Sequence, residues 1–243
     1  MSDFPLEVDE PLFDVIERGM IGHPRSQQMK IGPSGIGDPC DRSLTFALAG
    51  IRPPRKPYSG WKPTVGTAGH AWVEDRFNEE NERLGYRRWW TEQKVRVGMI
   101  LDEELTGHLD LFDLFTKTIT DWKFVGPRML TKYRGNGPSD VYRVQAHAYG
   151  IGMMNAGIRP ETVSIAFLPR DGEIRNSYVW RAPFDPMVAI DALARCNRLA
   201  ARLRDEFGGD AEAATAEFEN CGGLYCDWCK QPRTAPTKSM FDA

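Results

Sequence analysis

Two acidic motifs lie a short way apart in the chain, Gly107-His108-Leu109-Asp110 and Asp121-Trp122-Lys123. Their aspartates, Asp110 and Asp121, each sit inside an apolar run, "LDLFDLF" and "TITDWKF", and both runs read as strands. Strands that bury apolar side chains rarely carry charge at their centre, so the placement calls for a chemical reason. Side chains two apart on a strand share a face, which points Asp121 and Lys123 the same way. A turn near residues 115 to 118 would bring Asp110 opposite that pair. Two carboxylates converging in a partly buried place repel unless one is protonated or a cation lies between them. Oxygen ligands of this kind suit Mg2+ or Mn2+. A neighbouring ammonium can orient a water or steady charge building on a phosphate. The plainer reading is an ion pair between Asp110 and Lys123 on a solvated face, and Asp-x-Lys alone does not separate the two.

Other residues have chemistry-bearing spacings. In "GTAGHAWVE", His70 and Glu74 fall one helical turn apart, as do Gln145 and Tyr149 further on, so each pair shares a helix face. A lone histidine is usually a satisfied core residue. Beside carboxylates it would serve as a ligand and favour Mn2+ somewhat over Mg2+. The five cysteines are unevenly placed: Cys40 near the start, Cys196 alone, then Cys221, Cys226 and Cys229 together. A disulfide framework is not expected in a chain that shows no secretory leader. Metal ligation is the natural use, and an all-sulfur set is compatible with structural Zn2+ and with an iron–sulfur cluster alike.

These residues need elements to hold them. The sequence predicts a helix after Cys40 ending at Gly50, and a second from Thr64 to Leu84 stopped by Gly85. An alternating strand over residues 86–100 then leads into the hairpin. "VGPRMLTKYRGNGP" reads as a basic loop broken by glycine and proline. Ser139 is a plausible N-cap for a helix through Asn155. "TVSIAFLP" and "IRNSYVWRA" form a second hairpin around "RDGE". A long helix over 187–207 carries Leu193, Cys196, Leu199, Leu203 and Phe207 as its apolar stripe, making Cys196 a core thiol. The order predicts an α/β fold, a central mixed β-sheet flanked by helices, in a single domain over 1–243 with a flexible tail at 234–243.

With 41% hydrophobic and 27% charged residues, the chain can bury a normal core. A net charge of −3 argues against a polybasic coat for nucleic acid, though basic groups gather locally. Arg52, Arg55 and Lys56 lie in a proline-rich loop, Arg87 and Arg88 precede Trp89 and Trp90, and Arg128, Lys132 and Arg134 follow the second motif. Basic side chains interleaved with aromatics suit a nucleic-acid strand, and solvated charge on loops is the plain alternative. The acidic start "MSDFPLEVDE" and the lack of a long apolar run lead us to expect a cytoplasmic protein without membrane contact.

Taken together, Gly107-His108-Leu109-Asp110 and Asp121-Trp122-Lys123 resemble the second and third motifs of the PD-(D/E)XK nuclease superfamily. His70 with Glu74 is similar to the first motif of its RecB-type members, and Gln145-Ala-His-Ala-Tyr149 to their Gln-x-x-x-Tyr helix motif. The order and spacing of the four agree over residues 64–150. Cys40 in segment 36–50 and the later cysteines in segment 218–233 resemble the iron–sulfur RecB-like nucleases, which include CRISPR-associated exonucleases and phage-encoded relatives. One difference is the closing Cys-x4-Cys-x2-Cys, where relatives often have a longer final gap.

The resemblance implies a metal-dependent DNA exonuclease acting 5′→3′ on single strands or accessible ends, in recombination, DNA processing or CRISPR spacer handling. Asp110, Asp121, Lys123 and Glu74 would be catalytic. His70, Asp110, Asp121 and a main-chain carbonyl at Trp122 would bind Mg2+ or Mn2+, and Gln145 and Tyr149 would position DNA. Cys40, Cys221, Cys226 and Cys229 would hold a [4Fe–4S] cluster, with structural Zn2+ the alternative. A homo-oligomer or a recombination partner protein would fit, though no feature demands one. Two other readings use the same residues: a structure-selective endonuclease, and a catalytically silent DNA-binding scaffold.

Overall fold

The computed structural model describes residues 15–16, 18–20, 31–53, 60–223 and 226–229. The chain builds five strands: β1 (Trp89–Ile100), β2 (Glu103–Asp113), β3 (Thr118–Val125), β4 (Thr162–Pro169) and β5 (Tyr178–Pro183). They form one sheet in the order β1-β2-β3-β4-β5. Neighbours are antiparallel except β3 and β4, which run parallel, so the sheet is mixed. The helices are α1 (Asp41–Leu48), α2 (Trp61–Leu84), α3 (Pro127–Asn136), α4 (Asp140–Asn155), α5 (Pro186–Asp205) and α6 (Ala211–Thr215). Parallel strands need a long crossover, and α3 and α4 supply it between β3 and β4.

Local chemistry sets the boundaries that matter for the site. Helix α2 stops at Gly85, whose left-handed φ of 72° lets its N–H return to the carbonyls of Asn81 and Glu82. Helix α5 begins at Asp185, whose side chain accepts from the Met187 N–H, with Pro186 in the first turn. The core under the hairpin joins Val95, Leu109, Phe112 and Ile119 to Tyr149 and Met153 of α4. A second cluster packs Val125, Val163, Ile165 and Phe167 against Leu130 and Tyr133 of α3. Cys196 is fully buried with Leu44, Val97 and Ala148, as the apolar stripe predicts.

Three expected boundaries are corrected. The basic segment "VGPRMLTKYRGNGP" is no loop: Pro127–Asn136 form α3. Proline at the first helical turn costs no hydrogen bond, and Leu130 and Tyr133, three apart, bury one helix face. Trp61, Lys62 and Pro63 belong to the first turn of α2, ahead of the expected start at Thr64. Ile174–Asn176 make a 3-10 turn, so the last strand begins only at Tyr178. Arg55, Lys56 and the expected tail at 234–243 lie outside the described residues. No helix among the described residues is long and apolar enough to cross a membrane.

Candidate active site

The hairpin is built so that Asp110 replaces a strand partner. The β2–β3 pairing runs Asp113↔Thr118, Phe112↔Ile119 and Leu111↔Thr120. At the next position the Asp110 carboxylate takes over, and its Oδ2 accepts the Trp122 N–H at 2.7 Å. One carboxylate oxygen is thereby fixed by the backbone of β3. The other, Oδ1, lies 3.3 Å from His70 Nδ1.

His70 reaches this point because α2 lies directly on β3. A Cβ added at Gly69 would stand 2.6 Å from the Phe124 ring, so only glycine permits the approach. The Phe124 ring in turn lies 5.7 Å from the His70 imidazole. Burial alone would lower the His70 pKa. The close contact and charge of Asp110, with the charge of Asp121, outweigh it and hold the imidazole above its ordinary value.

Asp121 is almost wholly buried, at 2% exposure. Lys123 Nζ approaches its Oδ2 to 2.5 Å, yet both oxygens lack a well-directed hydrogen-bond donor. Burial pushes the carboxyl up to about 6. The charge of Asp110 adds to this, while Lys123 and His70 oppose it. On its other side, the Lys123 ammonium faces the Tyr142 ring, 4.9 Å from the centroid.

A residue that the motifs do not include joins this group. Glu92 in β1, His70 and Asp110 place one ligand atom each within 4.8 Å of one another. Glu92 stands between the pairs Thr91↔Leu111 and Gln93↔Leu109, opposite Asp110 in register. Its φ of 47° is left-handed, a conformation that costs a non-glycine residue about 1–3 kcal/mol and is concentrated at functional sites. An acidic residue inside an alternating strand was the available signal. Glu74 is half-buried one turn along α2 and is not part of this set.

Trp122, expected to offer its carbonyl, is seen to use its N–H on Asp110, and its ring stacks on Phe77 at 5.5 Å. Gln145 and Tyr149 are both 6% exposed, and Gln145 Nε2 donates to the Tyr149 hydroxyl at 3.3 Å. The Tyr149 ring packs over Gly107, where an added Cβ would stand 3.0 Å from it. Of the basic groups, Arg88 is committed to a two-bond pair with Asp113 and lies over the Trp89 ring at 4.3 Å.

The donor set fits a hard divalent cation. The Glu92 and Asp110 carboxylates and the His70 imidazole are ligands of that class; Asp121, buried beside Lys123 without a well-directed donor, lies outside that gathered set. Apart from this group, Cys40, Cys221, Cys226 and Cys229 gather their four sulfurs within 4.8 Å of one another.

No family model matches the chain, and no curated protein matches it. Solved structures do. LHK-Exo, crystallised in complex with dAMP, is 11% identical with a TM-score of 0.50, over 79% of this chain and 95% of that one. A phage related exonuclease from Haemophilus somnus 129PT is 15% identical with a TM-score of 0.44, over 73% of this chain and 94% of that one. The mixed sheet flanked by helices is therefore a fold that this chain shares with LHK-Exo.

Proposed function

We infer that this chain is a divalent-metal-dependent DNA exonuclease, hydrolysing phosphodiester bonds from DNA ends, 5′→3′ on single strands, in recombination or DNA processing. One observation carries the reading: a carboxylate, Asp121, is buried with neither oxygen satisfied by a well-directed donor, beside Lys123 and within electrostatic reach of Asp110 and His70. A group so costly to bury points to a cation and a reaction. The four sequence motifs supply the substrate class, polarity and strand preference by resemblance.

In this reading His70, Asp110 and Asp121 hold Mg2+ or Mn2+, with Glu92 within reach and the Trp122 carbonyl as a further ligand. Glu74 acts only at a distance from the ion. Bound there, the cation supplies positive charge at the attacked phosphate and makes a water more acidic. The rest falls to the chain. The Trp122 N–H keeps Asp110 aimed, and the Tyr142 face steadies Lys123. Lys123 orients the attacking water and stabilises charge on the phosphate. Gln145 and Tyr149 influence the DNA through the hairpin they support, since little of either is exposed. The four cysteines bind a structural metal.

Linear and covalently closed circular single-stranded DNA, offered side by side in Mn2+, test the assignment. The linear form should be degraded and the circle spared. Cleavage of the circle would establish the endonuclease reading, and binding without cleavage of either would leave a DNA-binding scaffold.

A further inference from the structure

We propose that the four-cysteine group is a site for a single tetrahedral zinc ion and not for the iron–sulfur cluster that the resemblance implies. Size decides between the two. All four sulfurs lie within 4.8 Å of one another, and Cys40 Sγ and Cys229 Sγ are 3.6 Å apart. Four thiolates around one zinc at about 2.3 Å stand about 3.8 Å from each other on a tetrahedron. In a [4Fe–4S] cube each thiolate binds a different iron corner, which pushes the sulfurs roughly 6 Å apart. The observed spacing fits the ion and leaves no room for the cube.

The surroundings hold the sulfurs at that spacing. Cys40 is buried at the head of α1, where its sulfur accepts the Ser43 N–H at 3.4 Å. Its own N–H donates to Asp38 Oδ1 at 2.9 Å, and the same carboxylate takes the Ser43 hydroxyl at 2.7 Å. Across the site, the Cys226 N–H donates to the Gly223 carbonyl at 3.1 Å. A side chain at Gly223 would lie 3.3 Å from Cys221 Sγ and 3.7 Å from Cys226 Cβ, so Gly223 packs against both cysteines. Trp228 stacks on Phe46 of α1 at 3.8 Å and 11°, fastening the Cys226–Cys229 turn to the helix that Cys40 begins. Spreading the sulfurs to a cube would separate that stack or break the Cys40 cap. The intervals Cys221-x4-Cys226 and Cys226-x2-Cys229 both fall within the range used by structural zinc sites.

The ion has no redox part to play. It joins residues 189 positions apart, Cys40 and Cys229, and this holds whether or not the nuclease reading does.

The test is metal and acid-labile sulfide content of the full chain, expressed with both iron and zinc supplied and purified without oxygen. A second sample is stripped, then offered zinc together with ferrous iron and sulfide. We expect one zinc per chain in both, no sulfide, and no visible charge-transfer band. Cys229→Ser should lose the zinc, and Cys196→Ala, outside the group, should keep it. X-ray absorption at the zinc edge should show four sulfurs bound to the ion. Iron with stoichiometric sulfide in either sample would overturn the proposal, as would zinc that persists in Cys229→Ser with fewer than four sulfur neighbours. If Cys229→Ser fails to fold, the absorption spectrum of the wild-type protein decides.

Discussion

Asp121 is buried against Lys123, and in the proposed reading a cation shares the cost of burying its charge. Its carboxyl is raised from 3.8 to about 6. Its contribution to stability is therefore full below its ordinary pKa and lost as pH rises through about 6, where the charged form costs the cation-free fold on the order of 3 kcal/mol. A bound cation offsets that cost. Added Mn2+ should thus raise Tm by several degrees at pH 8 and by much less at pH 5, read by thermal unfolding. Equal shifts at both pH values would remove Asp121 from the site. Glu92 makes a second prediction. Glu92→Gln should lower activity at limiting Mn2+ by about tenfold or more, whereas Glu74→Gln should change it by less than about threefold, judged against the typical effect of losing one metal-supporting group. The reverse order would restore the helix-based choice. The sequence pointed to Asp110, Asp121, Lys123 and His70 through motif and spacing. For Glu92 it offered only an acidic residue inside an alternating strand, because its place in the site depends on a left-handed backbone and on the register of β1 against β2.

At the scale of elements, the contact between α2 and β3 delivers the imidazole. In an open helix, Gly→Ala stabilises by up to about 1 kcal/mol. At Gly69 the added methyl meets the Phe124 ring at 2.6 Å, and overpacking of this kind costs about 1–3 kcal/mol, so the sign reverses. Gly69→Ala should therefore lower Tm and reduce kcat, because either the helix lifts or the ring turns beside His70. Phe124→Leu in the same chain should recover much of both losses. A stabilised, fully active Gly69→Ala would contradict this packing. The strands were legible because their alternation is strong and a turn of fixed length joins β2 to β3. Helix α3 was not: two arginines, a lysine, glycine and proline hide the short apolar stripe of Leu130 and Tyr133, which becomes decisive only against Phe167 of the sheet.

Across the whole molecule, the cysteine group closes a loop that contains every strand. In the chain-entropy model for cross-links, borrowed here as an analogy, such a closure is worth about 5 kcal/mol. A strong chelator, or Cys229→Ser, should lower stability by an amount of that order, measured by denaturant unfolding; Cys196→Ala should lose only what a small core cavity costs. That four distant cysteines meet could be expected from their residue type, but the spacing of their sulfurs could not, because it is set by the Cys40 cap and the Trp228–Phe46 stack. Catalysis at the hairpin is the central claim, and cleavage of end-labelled linear single-stranded DNA in Mn2+, by wild type and Asp121→Ala purified without oxygen, tests it most directly. We predict a product ladder from the wild type and none from an equally folded variant. Equal cleavage by both proteins would contradict the claim.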